Sequence, residues 1–242
     1  MKIILSLIIL LAAMPMAMAA VVVDEKKPVP ELPEFNRLVL EQIGKFPTNG
    51  EHKYWWPKHG ESKYDGVSED IFLNGEKVLS GEPKQQTFCC GLTLEVYMKA
   101  YEAWAAKHGQ PAHALKPADI PKFRTLWFVE DANGPGPSVA LEQFHLGKTV
   151  TMEQALPGDF VQLWRHSGSG HSVIFLDWVK DEKGEITGMK YWSTQTSTDG
   201  IHENEEHFGP KEEKSKKMAK EFLFIGRGEL TAPPAENTET SK

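Results

Sequence analysis

Residues 87–107 read TFCCGLTLEVYMKAYEAWAAK and hold both cysteines of a 242-residue chain. Leu92, Val96 and Ala100 fall on one stripe at helical spacing, with Leu94, Tyr97, Tyr101 and Trp104 beside it. An apolar face of that width predicts a long helix largely buried in its domain, stopping near His108 and Gly109. Cys89 and Cys90 then lie in its first turn. Unpaired backbone N–H groups and the helix dipole favour negative charge there, so a thiol at that place is expected to ionise readily. The same N–H groups can hold the oxyanion of a tetrahedral intermediate.

On the N-terminal side, Phe35, Leu38, Val39 and Ile43 predict an amphipathic helix behind Pro33, stopped at Gly44. Tyr54, Trp55 and Trp56 form an aromatic cluster, read chiefly as packing and otherwise as the wall of a groove. DIFLNGEKVL, residues 70–79, reads as a tight hairpin around Asn74 and Gly75, a pair that accepts positive φ. On the C-terminal side, residues 119–128 and 138–146 read as shorter helices with Asp119 and Ser138 as their starts. After Pro157 and Gly158 the period changes. PGDFVQLW, HSVIFLDW, MKYWSTQT and EFLFIGRG are strand-like segments, the pattern of an antiparallel sheet. Helices first and sheet second predict one α+β domain over residues 34–230, with a proline-bearing linker at 20–33 and a loose tail at 231–242.

With 40% hydrophobic residues the chain can fill a core, and a net charge of −7 gives no electrostatic footprint for nucleic acid. Lys2, the apolar run at residues 3–13 and then Ala17-Met18-Ala19 read as a signal peptide over residues 1–19. The protein is therefore expected to be exported, to the periplasm or beyond, without a transmembrane segment. Exported proteins commonly use cysteines as staples, but a bridge between adjacent residues is sterically awkward. That leaves a functional thiol, a core-filling role, or an intermolecular disulfide.

A nucleophilic thiol needs a base to carry its proton. His171 is the best placed histidine, with a Gly-Ser-Gly loop before it and a buried strand after it; His166 is its rival in a more polar setting. The base needs a third group on its second nitrogen. Counting the hairpin between HSVIFLDW and MKYWSTQT places residue 171 opposite residues 195–197, which selects Gln195, with Ser193 second. Gly170 to Ile174 lacks the final glycine of a serine-hydrolase elbow. In HENEEH the histidines are spaced five apart rather than four, which fails the zinc-helix pattern and reads as a solvated acidic loop.

Cys89-Cys90-Gly91-Leu92, then Pro157-Gly158-Asp159-Phe160-Val161, then Gly170-His171-Ser172-Val173-Ile174-Phe175-Leu176 is similar in order and spacing to the NlpC-type, papain-like cell-wall peptidases. That resemblance implies a papain-like fold and a Cys-His-polar triad cutting amide bonds in peptidoglycan peptides or related substrates, with no metal or organic cofactor. On its register the nucleophile falls on Cys89, and Cys90 takes the place of the serine that follows. Phe88 stands where the family usually has an acidic residue, and the hairpin to the third group is longer than usual. The rival expectation is a non-catalytic peptide- or glycan-binding domain of the cell envelope, using a groove of Trp55, Trp56 and Trp192.

Overall fold

The apolar face of the cysteine-bearing stretch becomes helix α2, Cys89–His108, closed by Gly109 at φ 80°. The computed structural model describes residues 31–58, 63–129, 131–211 and 215–234; the expected signal peptide, most of the linker and the end of the tail lie outside them. Helix α1 spans Glu34–Ile43, and the hairpin β1, Ile71–Leu73, and β2, Glu76–Leu79, turns at Asn74 and Gly75, both at positive φ. Helices α3, Ile120–Phe128, and α4, Pro137–Gln143, follow.

Six strands then build an antiparallel sheet: β3 Gly147–Val150, β4 Phe160–Arg165, β5 Gly170–Lys180, β6 Ile186–Gln195, β7 Gly200–His207 and β8 Met218–Gly228, in the order β3-β8-β4-β5-β6-β7. The architecture is α+β, with α2 packed on β5 and β6. On the helix side Leu92, Tyr97, Trp127, Phe160, Ile174 and Trp192 share a core, and Val161, Leu163, Val173, Phe175 and Tyr191 form a second cluster.

Two of these strands differ from the expectation. The HENEEH segment is not a loop: it belongs to edge strand β7, whose charges protect an open edge against further pairing and so hide the period-2 pattern. β3 is the opposite edge and has only four residues, too few for alternation to show. The expected caps also act elsewhere. The Asp119 carboxylate accepts from the Lys116 N–H and closes the turn before α3, while Ser138 lies inside α4 and donates to the Pro135 carbonyl. The segment after Leu230 is tied back at its start, where Ala112 N–H donates to Thr231 O.

Asp159, the acidic residue of the Pro-Gly-Asp run, is fully buried and has a structural task. It binds Arg227 through two bonds of 2.8 and 2.7 Å, Asn36 at 2.8 Å and the Leu156 N–H at 2.8 Å, joining α1, β4 and β8. Removing one partner of a buried pair leaves an uncompensated charge. Arg227→Met should therefore destabilise the protein by about 3–5 kcal/mol in urea unfolding. A loss below about 1 kcal/mol would show that the pair contributes only as an exposed one does.

Candidate active site

Phe88 caps α2 with extended backbone, no side chain caps the helix start, and the first turn holds no acidic residue. The negative charge favoured at that end is left to the thiols. Tight packing fixes the position. Phe88 N–H donates to Gly66 O at 3.1 Å, and a Cβ on Gly91 would lie 2.2 Å from Asp65 O, so only glycine lets the loop cross there. On the other side Thr87 Oγ1 donates to Thr194 Oγ1 on β6 at 3.0 Å. A parallel bridge between Tyr54 and Thr87 then sets Tyr54 alongside the helix start.

The sheet receives this end at a fork. β4 and β5 remain paired out to Trp164 and Gly170, and β6 and β7 out to Gln195 and Gly200, but the ladder between β5 and β6 stops at Ile174 and Trp192. Ser172 therefore finds its backbone partners outside the ladder. Its carbonyl accepts from Ser193 Oγ at 2.8 Å, and its N–H faces the Cys89 sulfur. Its hydroxyl lies 2.9 Å from Thr93 Oγ1, which also accepts from Trp127 Nε1 at 3.1 Å and donates to Cys90 O at 3.1 Å. One donor and two acceptor sites on Thr93 are thus all used.

His171 is 6% exposed and lines the same cleft as Cys89, with its imidazole beside the sulfur. Among the described residues nothing bonds its buried Nε2. The Cys90 thiol, then His171 and the Ser172 N–H, hold Cys89 well below the ordinary thiol range, against the opposing effect of burial. Burial first, and then the charge on Cys89, push Cys90 the other way. Two adjacent thiols are therefore chemically unequal: one is held below the ordinary thiol range and the other above it. Neither forms a disulfide.

The expected third residues lie close by but on other partners. Gln195 Oε1 is 3.1 Å from Tyr191 Oη and its amide donates to Ser197 at 2.8 Å; Ser193 is committed to the Ser172 carbonyl. The register that pairs Ile174 with Trp192 carries residue 171 to 195, so the hairpin count is met, but the fork separates the side chains. What touches the imidazole is Tyr191, in a T-shaped contact with centroids 5.7 Å apart. The Tyr191 hydroxyl in turn lies 3.0 Å from Glu206 Oε1 and accepts from Asn204 at 3.2 Å. His166 instead donates to the Gly209 carbonyl at 3.0 Å.

Tyr54 is a site residue that the sequence reading left within an aromatic cluster. Burial, reinforced by negative charge on Cys89 and Cys90, pushes its hydroxyl up to about 12, so it stays a proton donor beside the thiols at neutral pH. The only signal in sequence was a phenol among indoles. Of the three tryptophans expected to share a groove, Trp192 is buried against Phe46 and Trp55 stacks on Tyr64; only Trp56 faces the cleft.

The cleft has two arms that meet at Tyr54, Gly170 and His171. One, about 280 Å³, holds both thiols and the side chains of Trp56, Phe128, Val129 and Trp164. The other, about 330 Å³, holds Arg165, Gln195, Ser197, Asn204 and Glu206. Among the described residues, no group of three or more histidine, cysteine or acidic side chains is placed to hold a metal ion, and no helix is long and apolar enough to cross a membrane. In three comparisons, no protein-family model, no curated protein and no solved structure matches this chain.

Iodoacetamide should label Cys89 before Cys90, at a rate that stays nearly level from about pH 8.5 down to about pH 7, where an ordinary thiol slows several-fold or more. Peptide mapping of a timed series measures both sites. Equal labelling with the ordinary pH slope at both would contradict the inequality of the pair.

Proposed function

We propose that the protein is an exported cysteine hydrolase of amide bonds, acting on peptidoglycan peptides or related peptides of the cell envelope, with a papain-like arrangement of the NlpC type. The observation that carries this reading is the meeting of Cys89, at the start of a buried helix, with His171, at the open end of a strand, inside one cleft. Export rests on the leader pattern of residues 1–19.

Cys89 attacks the carbonyl carbon as a thiolate. The oxyanion that forms is met by the backbone N–H groups of the first turn and the Tyr54 hydroxyl. His171, in its imidazolium form, gives its proton to the leaving nitrogen as the C–N bond breaks, and an acyl thioester remains on Cys89. Water then attacks the thioester with His171 as base, releasing the acid and restoring the thiol. Cys90 stabilises the resting thiolate by donation. Tyr191 positions the imidazole through its ring, and Gln195 acts as the polar third member one contact removed, on the Tyr191 hydroxyl.

On peptidoglycan-derived peptides, Cys89→Ala and His171→Ala should each lower kcat by about 10³-fold or more. Cys90→Ala should lower it within about tenfold, because it removes one donor and leaves His171 and the Ser172 N–H beside the sulfur. Gln195→Ala should fall in the same modest range. Product release read by chromatography measures all four. If Cys90→Ala alone is inactive, the nucleophile is misassigned; if all four retain activity, the Cys-His mechanism is lost, and if the unaltered protein releases no product, so is the hydrolase reading.

A further inference from the structure

The two arms of the cleft are chemically unlike, and their positions relative to the thiol and the histidine give the site a direction. His171 lines both arms, whereas Cys89 lines only the aromatic one. In amide cleavage the sulfur bonds to the acyl carbon and the imidazolium must reach the departing nitrogen. The acyl substituent therefore lies on the thiol's side, and the amine leaves past the histidine into the polar arm.

The thiol's arm is built for an apolar group. Trp56 is 56% exposed, a large apolar surface for solvent, and it rests on Phe88 at 4.6 Å between ring centroids. Phe128 packs on the same Phe88 ring at 5.7 Å, and Trp164 is anchored by its Nε1 donating to Gly134 O at 2.9 Å. Val129 is held at φ 55°, a region that a β-branched residue occupies only at a cost. Its methyl groups approach Gly134 and Gly136 so closely that a Cβ on either would meet them at 2.5 or 2.8 Å. The chain thus sustains backbone strain where it sets an isopropyl group into this arm. The other arm offers the ion pair of Arg165 and Glu206, with Gln195 and Asn204.

Resting on the cysteine-hydrolase reading above and narrowing its substrate to envelope peptides other than peptidoglycan stems, which carry no such side chain, we propose that the substrate's acyl group is a bulky apolar residue, aromatic or branched aliphatic, seated against Trp56, Phe128, Val129 and Trp164. Bonds on the carboxyl side of such residues are the ones cut. The covalent step is the one already balanced: the S–C bond forms, the C–N bond breaks, the amine leaves with the proton from His171, and water later releases the acid.

The test uses the full chain and three alkylating reagents: N-acetyl-phenylalanine chloromethyl ketone, N-acetyl-glycine chloromethyl ketone and iodoacetamide. Each rate at Cys89, read by intact mass and peptide mapping, is divided by the same protein's iodoacetamide rate, which involves no acyl side chain. The phenylalanine reagent should exceed the glycine reagent by about tenfold or more, the usual scale for an apolar pocket. Trp56→Ala and Val129→Ala should each shrink that ratio by about threefold or more. A ratio near one in the unaltered protein, or a large ratio unchanged in both variants, overturns the acyl-arm proposal and leaves the nucleophile standing. Failure of all three reagents to modify Cys89 overturns the nucleophile itself.

Discussion

On its β6 side the backbone of Ser172 has no partner strand, although β4 pairs with it on the other. The ladder between β5 and β6 ends at Ile174 and Trp192, and a buried N–H and C=O left unpaired there would each cost about 1–3 kcal/mol. The structure answers the carbonyl with one hydroxyl, from Ser193, and sets the Cys89 sulfur against the N–H. The fork thus creates the seat for the start of α2, and the N–H it frees helps to hold a negative sulfur. Thr93, Thr87 and Gly91 then make the seat unique by hydrogen bonds and close approach. A single interruption of sheet pairing accounts for where the helix docks, why the Cys89 thiol is held below its ordinary range, and why His171 is within its reach.

The inequality of the two thiols follows from the same geometry. Being adjacent, they cannot both face the fork. Cys89 receives the Ser172 N–H, the imidazole and the Cys90 proton; Cys90 receives burial and a negative neighbour. Coupled groups share their protons, and the surroundings of this pair bias ionisation toward Cys89. The polar partners behind His171 are arranged with less economy. Tyr191, Asn204, Glu206 and Arg165 form one hydrogen-bonded set, and the imidazole touches only the ring of Tyr191. Orientation by an aromatic ring keeps a buried carboxylate off the imidazole.

Much of this was legible in sequence, and the reasons for the rest are physical. The long helix, the hairpin at Asn74 and Gly75, and four of the sheet's strands announce themselves by period and by turn chemistry. The edge strands β3 and β7 do not, because one is short and the other carries charge for protection. Cys89 and His171 could be placed by element position alone, since a helix start and a strand mouth are local features. The hairpin count reached residue 195 correctly in register, yet it could not foresee that the ladder opens before reaching it. Tyr54 and Val129 belong to segments with no period, and their roles depend on a bridge to Thr87 and on a strained φ that no composition encodes.

The central claim is that Cys89 rests as a thiolate stabilised by its neighbours, and ultraviolet thiolate absorbance against pH tests it most directly. The unaltered protein should show a thiolate step well below the ordinary thiol range, absent in Cys89→Ala and moved to higher pH in His171→Ala and in Cys90→Ala. A step confined to the ordinary range near pH 8.5, or one that disappears with Cys90 and persists without Cys89, would contradict the account.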